Sequence, residues 1–458
     1  EEAAVHRDHD TRFMASIAPG SHLPSILLEI QYAREVGITE IILEMPIPST
    51  PQQQSRLAQA VDGIKNLDDD ITFSLALDFN PPQSWLRENP DEALTTKVEG
   101  VVYPAVGSNL WMDETQSRIK TFLTGISSDI KAGRITGIIL QGLENGQWVR
   151  SGAYDTSPAH QSAFSEWLAS RYTEIETLKD AWNDPALDSF EKVQLPESEP
   201  SESTNEVFLS PEKEQSKIDY HEFLSERTSS FIAGLASVVR AQTSPQFNIL
   251  AAYPNSLQHP EPAKGNWGAD ASHEGDLDGT MTRLHAAHRQ VGQHGYFASP
   301  VFPDWRNLSI DETYTGIAYD TNARTINVPG TYIPGRVFNL MVRNAVVSAL
   351  SGTTWIISDS SGAGAFAHRP LWKQLDSLLS IRHEIRTATK SKSTELTVVI
   401  DGNTGKYIKN APFYASIFES LIDTLTHAGI DFTWTSLDAL LSGDSEASSV
   451  YLFPNLYQ

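Results

Sequence analysis

The sequence predicts an α/β chain: a (β/α)8 (TIM) barrel followed by a smaller, flavodoxin-like α/β unit. Three observations lead there. Apolar, β-branched runs alternate with stretches of helical spacing, the signature of parallel strands joined by crossover helices. Eight such runs precede residue 389, and after it the alternation restarts with shorter elements. At 458 residues the chain exceeds one ordinary core, which suits a large barrel with a second unit. The expected boundaries are 1–388 for the barrel and 389–458 for the second unit.

The barrel elements follow in order. Residues 12–19 (RFMASIAP) read as strand one, and 23–36 as a helix that Gly37 stops. Residues 40–48 (EIILEMPIP) are strand two and 52–67 helical; 71–79 (ITFSLALDF) are strand three, broken by Pro81 and Pro82, which cannot continue a sheet. Residues 117–132 form an amphipathic helix leading into strand four, 135–140, which breaks at Gly142. Helix 158–172 places Phe164, Trp167, Leu168 and Tyr172 on one face, and 178–190 continue it. An acidic insertion rich in Ser, Glu and Pro, about 196–217, is expected to be a surface excursion without chemistry. Helix 217–240 and strand five, 246–253 (QFNILAAY), follow. Residues 275–289 are expected to be helical, 295–303 (GYFASPVFP) to be strand six and 316–319 strand seven. Helix 336–350, strand eight at 353–358 (TTWIIS) and helix 371–386 complete the barrel. In the second unit, strands at 395–401, 431–435 and 449–453 flank a helix at 414–428. Its early stop predicts that the chain is cut short there.

Composition narrows the function. A net charge of −24 argues against nucleic acid or an anionic membrane surface as partner. No window nears the roughly 18 apolar residues of a membrane helix. The absence of cysteine excludes disulfides, thiolate zinc sites and cysteine nucleophiles. His273-Glu274 and the His285/His288 pair lack the zinc-protease spacing, no phosphate-binding glycine loop is present, and no nucleophile elbow follows a strand. No metal and no cofactor are expected. The first residue is Glu1, compatible with a processed secreted or periplasmic protein and equally with a cytoplasmic one.

In a parallel barrel, function collects where strands end. Glu144 stands just past strand four, beside Asn145, Gly146 and Trp148, and is a candidate proton donor for cleaving a sugar linkage. A solvated loop carboxylate is the plainer alternative. Glycoside hydrolysis needs a second carboxyl group, about 5–5.5 Å away in retaining enzymes. Strand seven offers Asp320, with Glu312 in reserve. Asn80, Asn145, Asn255 and Asn322 can hydrogen-bond sugar hydroxyls, and Asp359 follows strand eight. Arg324 can grip a carboxylate bidentately or make an ordinary ion pair. Trp85, Trp111, Trp148, Trp305 and Trp355 are candidate stacking platforms, each with core packing as its alternative.

These segments resemble the family-42 β-galactosidases and their relatives among the retaining barrel hydrolases. Asn80-Pro81-Pro82 with Trp85-Leu86 and Asn89-Pro90 is similar to the family's Pro-Pro-x-Trp-Leu segment. Gly142-Leu143-Glu144-Asn145-Gly146 stands where the family has Asp-Asn-Glu and a following Gly. Helix 163–172, then Leu178, Trp182 and Gln194-Leu195-Pro196, resembles its helix–Leu–Asn–x–x–Trp–…–Leu–Pro run; residues 219–223 and 297–300 also have counterparts. Residues 319–325 resemble the nucleophile segment, in which a Glu stands four residues before an Arg-Thr pair; here that position is Asp320. Residues 355–359 and Pro370-Leu371-Trp372 resemble the strand-eight region.

The resemblance implies a retaining hydrolase of β-linked galactosides or related oligo- and polysaccharides, with Glu144 as acid/base and Asp320 as nucleophile. It also implies that the last unit takes part in trimer contacts. Three departures stand out. Leu143 replaces the Asn that hydrogen-bonds the substrate's 2-hydroxyl, Asp replaces Glu at the nucleophile position, and the zinc-binding cysteines of some relatives are absent. Shortening the nucleophile by one methylene withdraws its carboxylate by roughly 1–1.5 Å; with Leu143 beside the acid/base, this suggests a divergent substrate, a marine or plant galactan as readily as a lactose-like glycoside. It also leaves open an inverting enzyme, or a barrel that binds carbohydrate without cleaving it.

Overall fold

The computed structural model describes residues 10–95, 102–149, 155–196, 206–253, 276–283, 306–311, 334–389, 395–443 and 448–454. Its centre is a closed barrel of eight parallel strands in chain order, β8 pairing back onto β1. The strands are β1 (Thr11–Ser16), β2 (Glu40–Pro46), β3 (Thr72–Asp78), β4 (Ile135–Gln141), β5 (Asn248–Ala252), β6 (Gly279–Arg283), β7 (Arg306–Asp311) and β8 (Thr354–Asp359).

Helices α1 (Leu23–Glu35) and α2 (Pro51–Leu67) follow β1 and β2; the short α3 (Gln83–Glu88), then α4 (Asn109–Gly125) and α5 (Ser127–Lys131), follow β3. After β4 come α6 (Pro158–Tyr172), α7 (Ile175–Trp182) and the long α8 (Pro211–Arg240). Helices α9 (Pro334–Leu350) and α10 (Arg369–Thr389) follow β7 and β8. This is an α/β fold of the TIM-barrel kind, as the sequence predicted.

Two strands sit elsewhere than expected. Residues 275–289 were expected to be helical, yet Gly279–Arg283 is β6, paired with β5 and β7. The Leu, Ala and His spacing after Arg283 has helical periodicity, while the strand itself is short and its Thr280, Met281 and Thr282 are all buried. A strand covered on both faces loses the alternation that marks half-exposed strands. The seventh place is held by Arg306–Asp311, not by 316–319. Residues 295–303 and 316–319 lie outside the described residues. The acidic insertion is also shorter than expected, because Pro211 already begins α8, with non-helical backbone at Glu214.

Inside the barrel, alternation places one side chain per strand in a single apolar layer: Met14, Ile42, Ala76, Ile139, Met281, Ile310 and Ile356, with Leu250 and Ala252 from β5. A second core fills the space between strands and helices, and there Phe13, Trp372 and Phe366 meet edge to face or tilted.

Beyond the barrel, β9 (Leu396–Ile400) is the middle strand of a three-stranded parallel sheet with β10 (Phe432–Ser436) and β11 (Val450–Leu452). Helices α11 (Ala411–His427) and α12 (Leu437–Ser442) accompany it, and Tyr414 and Phe418 of α11 pack with Val398 and Ile400. Residues leading into α8 are tied to this unit: Leu209 donates its N–H to Tyr407 O at 2.6 Å, and Lys409 pairs with Glu214 at 2.8 Å.

One buried acid braces the end of β8. Asp359 is fully buried, and the N–H groups of Ser361, Gly364 and Ala365 all donate to its carboxylate. Glu29 of α1 accepts the Phe366 N–H at 2.6 Å. Burial, then the charge of Asp359, pushes the Glu29 carboxyl up to about 9. Glu29 therefore stays protonated in the fold at a pH where the unfolded chain ionises it. Its contribution is complete below the usual carboxyl range and is lost as pH rises toward 9. Glu29→Gln keeps the shape and removes the titration. Thermal unfolding followed against pH should show the variant equal to the parent near pH 4.5 and several degrees more stable at pH 8; parallel curves would contradict the assignment.

Candidate active site

The mouth of the barrel is where its inward-facing rows turn polar. Two residues beyond each apolar-layer residue, the same alternation presents Ser16, Glu44, Asp78, Gln141, Arg283 and Ser358. Glu44 Oε1 accepts from Gln141 Nε2 at 3.0 Å and also pairs with the Arg283 guanidinium. Burial pushes the Asp78 carboxyl up to about 6, opposed by hydrogen bonds from Asn80 and reinforced by the charge of Glu44. Carboxylates, an amide and a guanidinium thus share the floor, a donor and acceptor set suited to hydroxyl-rich ligands.

Glu144 stands at the rim in a tight turn after β4. Leu143, Asn145 and Trp148 all have positive φ, at 57°, 53° and 55°, as does Gly146. Leu and Trp seldom adopt that region, so packing must hold them there. Three backbone bonds close the turn: Glu144 N–H to Val149 O at 3.0 Å, Gln147 N–H to Glu144 O at 3.1 Å, and Trp148 N–H to Gly142 O at 2.8 Å. Asn80 holds its start with two more, Nδ2 donating to Leu143 O and Leu143 N–H donating to Oδ1, both at 2.9 Å. Glu144 itself is half-buried.

The Trp148 indole anchors the turn from below. It donates to Leu140 O at 3.0 Å and packs on Phe231 and Trp111, with ring centroids 5.4 and 6.3 Å away. A Cβ on Gly142 would sit 2.5 Å from this ring, so only glycine fits there.

Several expected contacts have other partners. Trp111 and Trp148 are core residues whose rings face Phe231, and Trp355 packs on the helix side of β8; each is about 1% exposed, so none offers a face for stacking. Asp359 is engaged by the turn after β8 and is not available to a ligand. Trp85 donates its indole N–H to Glu114 of α4 at 2.8 Å. Asn80 spends its amide on Leu143, while Asn145 is exposed at the tip of the turn. Leu143 is buried, so its side chain does not face a substrate. Glu312, Asp320, Asn255, Trp305, Asn322 and Arg324 lie outside the described residues.

Sequence reasoning missed the floor. Glu44, Asp78 and Gln141 occupy ends of strands that were read correctly, and the signal was a polar residue closing an apolar run. Arg283 was hidden by the misread β6. Tyr103 was also missed: its phenol is pushed up by burial and then by the negative charges of Glu144 and Asp78, which places it in their field. Among the described residues, no group of three or more His, Asp or Glu side chains can hold a metal ion, and no helix is long and apolar enough to cross a membrane.

Residues 131–266, which carry β4, the Glu144 turn, α6 to α8 and β5, match the model of the family-42 glycoside hydrolases, described as beta-galactosidase. The match covers under a third of the chain, and over that stretch the sequence is similar to the family-42 glycoside hydrolases. The chain's backbone is similar to solved structures of that kind. The β-galactosidase of the psychrophilic Marinomonas ef1 superposes with a TM-score of 0.61 at 12% identity, covering 93% of this chain and 70% of that one. The β-galactosidase of Bacillus circulans sp. alkalophilus gives 0.63 at 12% identity, with 96% and 67% covered. The apo exo-carrageenase of Bacteroides ovatus gives 0.59 at 11% identity, with 97% and 58% covered. At these identities the likeness speaks for the fold. No curated protein matches the sequence.

Gly142→Ala tests the packing beneath Glu144. Overpacking of this kind costs about 1–3 kcal/mol, so chemical denaturation should show a loss in that range, with glycosidase activity falling further than the folded fraction does. An unchanged midpoint would show that Trp148 does not constrain the turn.

Proposed function

We propose that this chain is a glycoside hydrolase that cleaves β-linked galactosides, or related β-linked oligo- and polysaccharides, by a retaining double displacement, with Glu144 as acid/base. The observation that carries the reading is Glu144 itself: a half-buried carboxylate, fixed in a strained turn at the barrel mouth beside a polar floor, inside the matched stretch.

The nucleophile is best sought directly after β7. The expectation of Asp320 rested on a seventh strand at 316–319 and on the likeness of residues 319–325 to the nucleophile segment; with β7 ending at Asp311, Glu312 is the adjoining carboxylate and Asp320 lies nine positions past the strand's end. Ile310 is the inward residue of β7, and 312 is the next position of the same parity. We therefore assign the nucleophile to Glu312, with full carboxylate reach, and Asp320 becomes the competing candidate.

Leu143 supports a second reading. Its buried side chain gives the 2-hydroxyl no donor, which suits an altered substrate, an inverting reaction or binding without cleavage. A galactan fragment, such as the carrageenan implied by the name of the Bacteroides ovatus enzyme, is a natural member of the substrate panel. For residues 389–458 we propose a flavodoxin-like unit through which copies of the chain associate, with the three parallel strands as support.

Turnover of aryl β-glycosides and galactan oligosaccharides, with NMR of the first-formed anomer, tests this reading. Glu144→Gln should lower kcat/KM on unactivated substrates about 10²- to 10⁴-fold. Glu312→Gln should abolish turnover of activated and unactivated substrates alike, and Asp320→Asn should spare it. Full activity in Glu144→Gln, or an inverted first product, would refute the mechanism.

A further inference from the structure

We infer that Asn80 is a positioning residue for the proton donor, acting through the Leu143 peptide; the inference rests on the reading of Glu144 as the acid/base. Backbone pairing between β3 and β4 runs one residue past β3, where Phe79 donates its N–H to Gln141 O at 2.9 Å. The ladder cannot go on from there. Pro81 and Pro82 have no N–H to give, and Gly142 turns the other chain away toward Leu143.

The side chain of Asn80 takes over at that point. Its carboxamide meets the Leu143 peptide as another peptide would, one donor and one acceptor in each direction, both bonds at 2.9 Å. Asn80 is itself held, because its own N–H donates to Asp78 Oδ1 at 2.9 Å. Three hydrogen bonds, all made by Asn80, therefore connect the floor carboxylate Asp78 to the residue before Glu144.

The residue so held is under strain. A leucine at φ 57° is disfavoured against its ordinary conformations. Without the carboxamide, the Leu143 peptide can relax by rotating about its φ and ψ, and the next Cα–Cβ bond to move is that of Glu144. A misplaced acid fails in a characteristic way. A proton is needed only when the leaving group is basic, so the loss must grow with the leaving group's pKa. Neither a residue that touches the sugar nor one that merely stabilises the fold produces that dependence.

The discriminating experiment measures kcat/KM of the intact chain and of Asn80→Ala and Asn80→Asp on aryl β-galactosides, from 2,4-dinitrophenyl to 4-methoxyphenyl. Thermal unfolding is used to correct for the folded fraction. Asn80→Ala should lose about 10²-fold or more on 4-methoxyphenyl galactoside and no more than about threefold on the dinitrophenyl compound. Asn80→Asp keeps the acceptor for Leu143 N–H but sets an oxygen against Leu143 O. It should show the same leaving-group dependence, relieved as the pH falls and the new carboxyl takes a proton. A uniform loss across the series would overturn the positioning role in favour of direct binding or of stability alone. Glu144→Ala run alongside separates the two claims: if it shows no leaving-group dependence, the reading of Glu144 fails; if it does and Asn80→Ala does not, only the role of Asn80 fails.

Discussion

Closure of eight parallel strands into one ring is the constraint from which the rest follows. Once β8 pairs with β1, the inward side chain of every strand shares a single interior, and only well-fitted apolar groups can fill it. The layer from Met14 to Ile356 does so. The next inward positions lie nearer the mouth, and there the chain switches to Glu44, Asp78, Gln141 and Arg283. Buried charge is costly unless paired, which explains why Glu44 is met by both Gln141 and Arg283 and why Asp78 is displaced toward neutrality.

The turn after β4 converts this platform into a site. Its conformation is unfavourable for leucine and tryptophan, and packing and side-chain bonds add to its own backbone bonds in holding it. Trp148 fills the space that Gly142 leaves open and bonds back to Leu140, while Asn80 secures Leu143 from β3. Strain held by surrounding packing is a common property of catalytic turns. Here it fixes the main chain on both sides of Glu144. On the far side of the ring, the register of β7 against β8 brings the chain to Asp311 at the same rim.

Much of this was legible in the sequence. Strands β1 to β5 and β8 are apolar runs stopped by Gly, Pro or a charge, and such runs have few other uses at that length. Glu144 was visible for the same reason, as a carboxylate at the break. What the sequence hid were matters of direction. Trp111, Trp148 and Trp355 stand close to strand ends, and nothing in their spacing tells a ring that faces a sugar from one that faces Phe231 or a helix. Asp359 reads as a strand-end ligand group, but Ser361, Gly364 and Ala365 direct their N–H groups at it. Glu29 hides inside an amphipathic helix as one more surface acid, though it is fully buried. β6 was lost because five residues with no alternation are followed by helix-like spacing.

The central claim is that Glu144 works opposite the carboxylate that directly follows β7. Covalent trapping addresses it most directly. The chain would be incubated with a 2-deoxy-2-fluoro-β-galactoside carrying a dinitrophenyl leaving group, then digested and sequenced by mass spectrometry. The account predicts one fluorosugar ester, carried by Glu312. A label on Asp320, or turnover of the parent galactoside with inversion and no trapped ester, would contradict it.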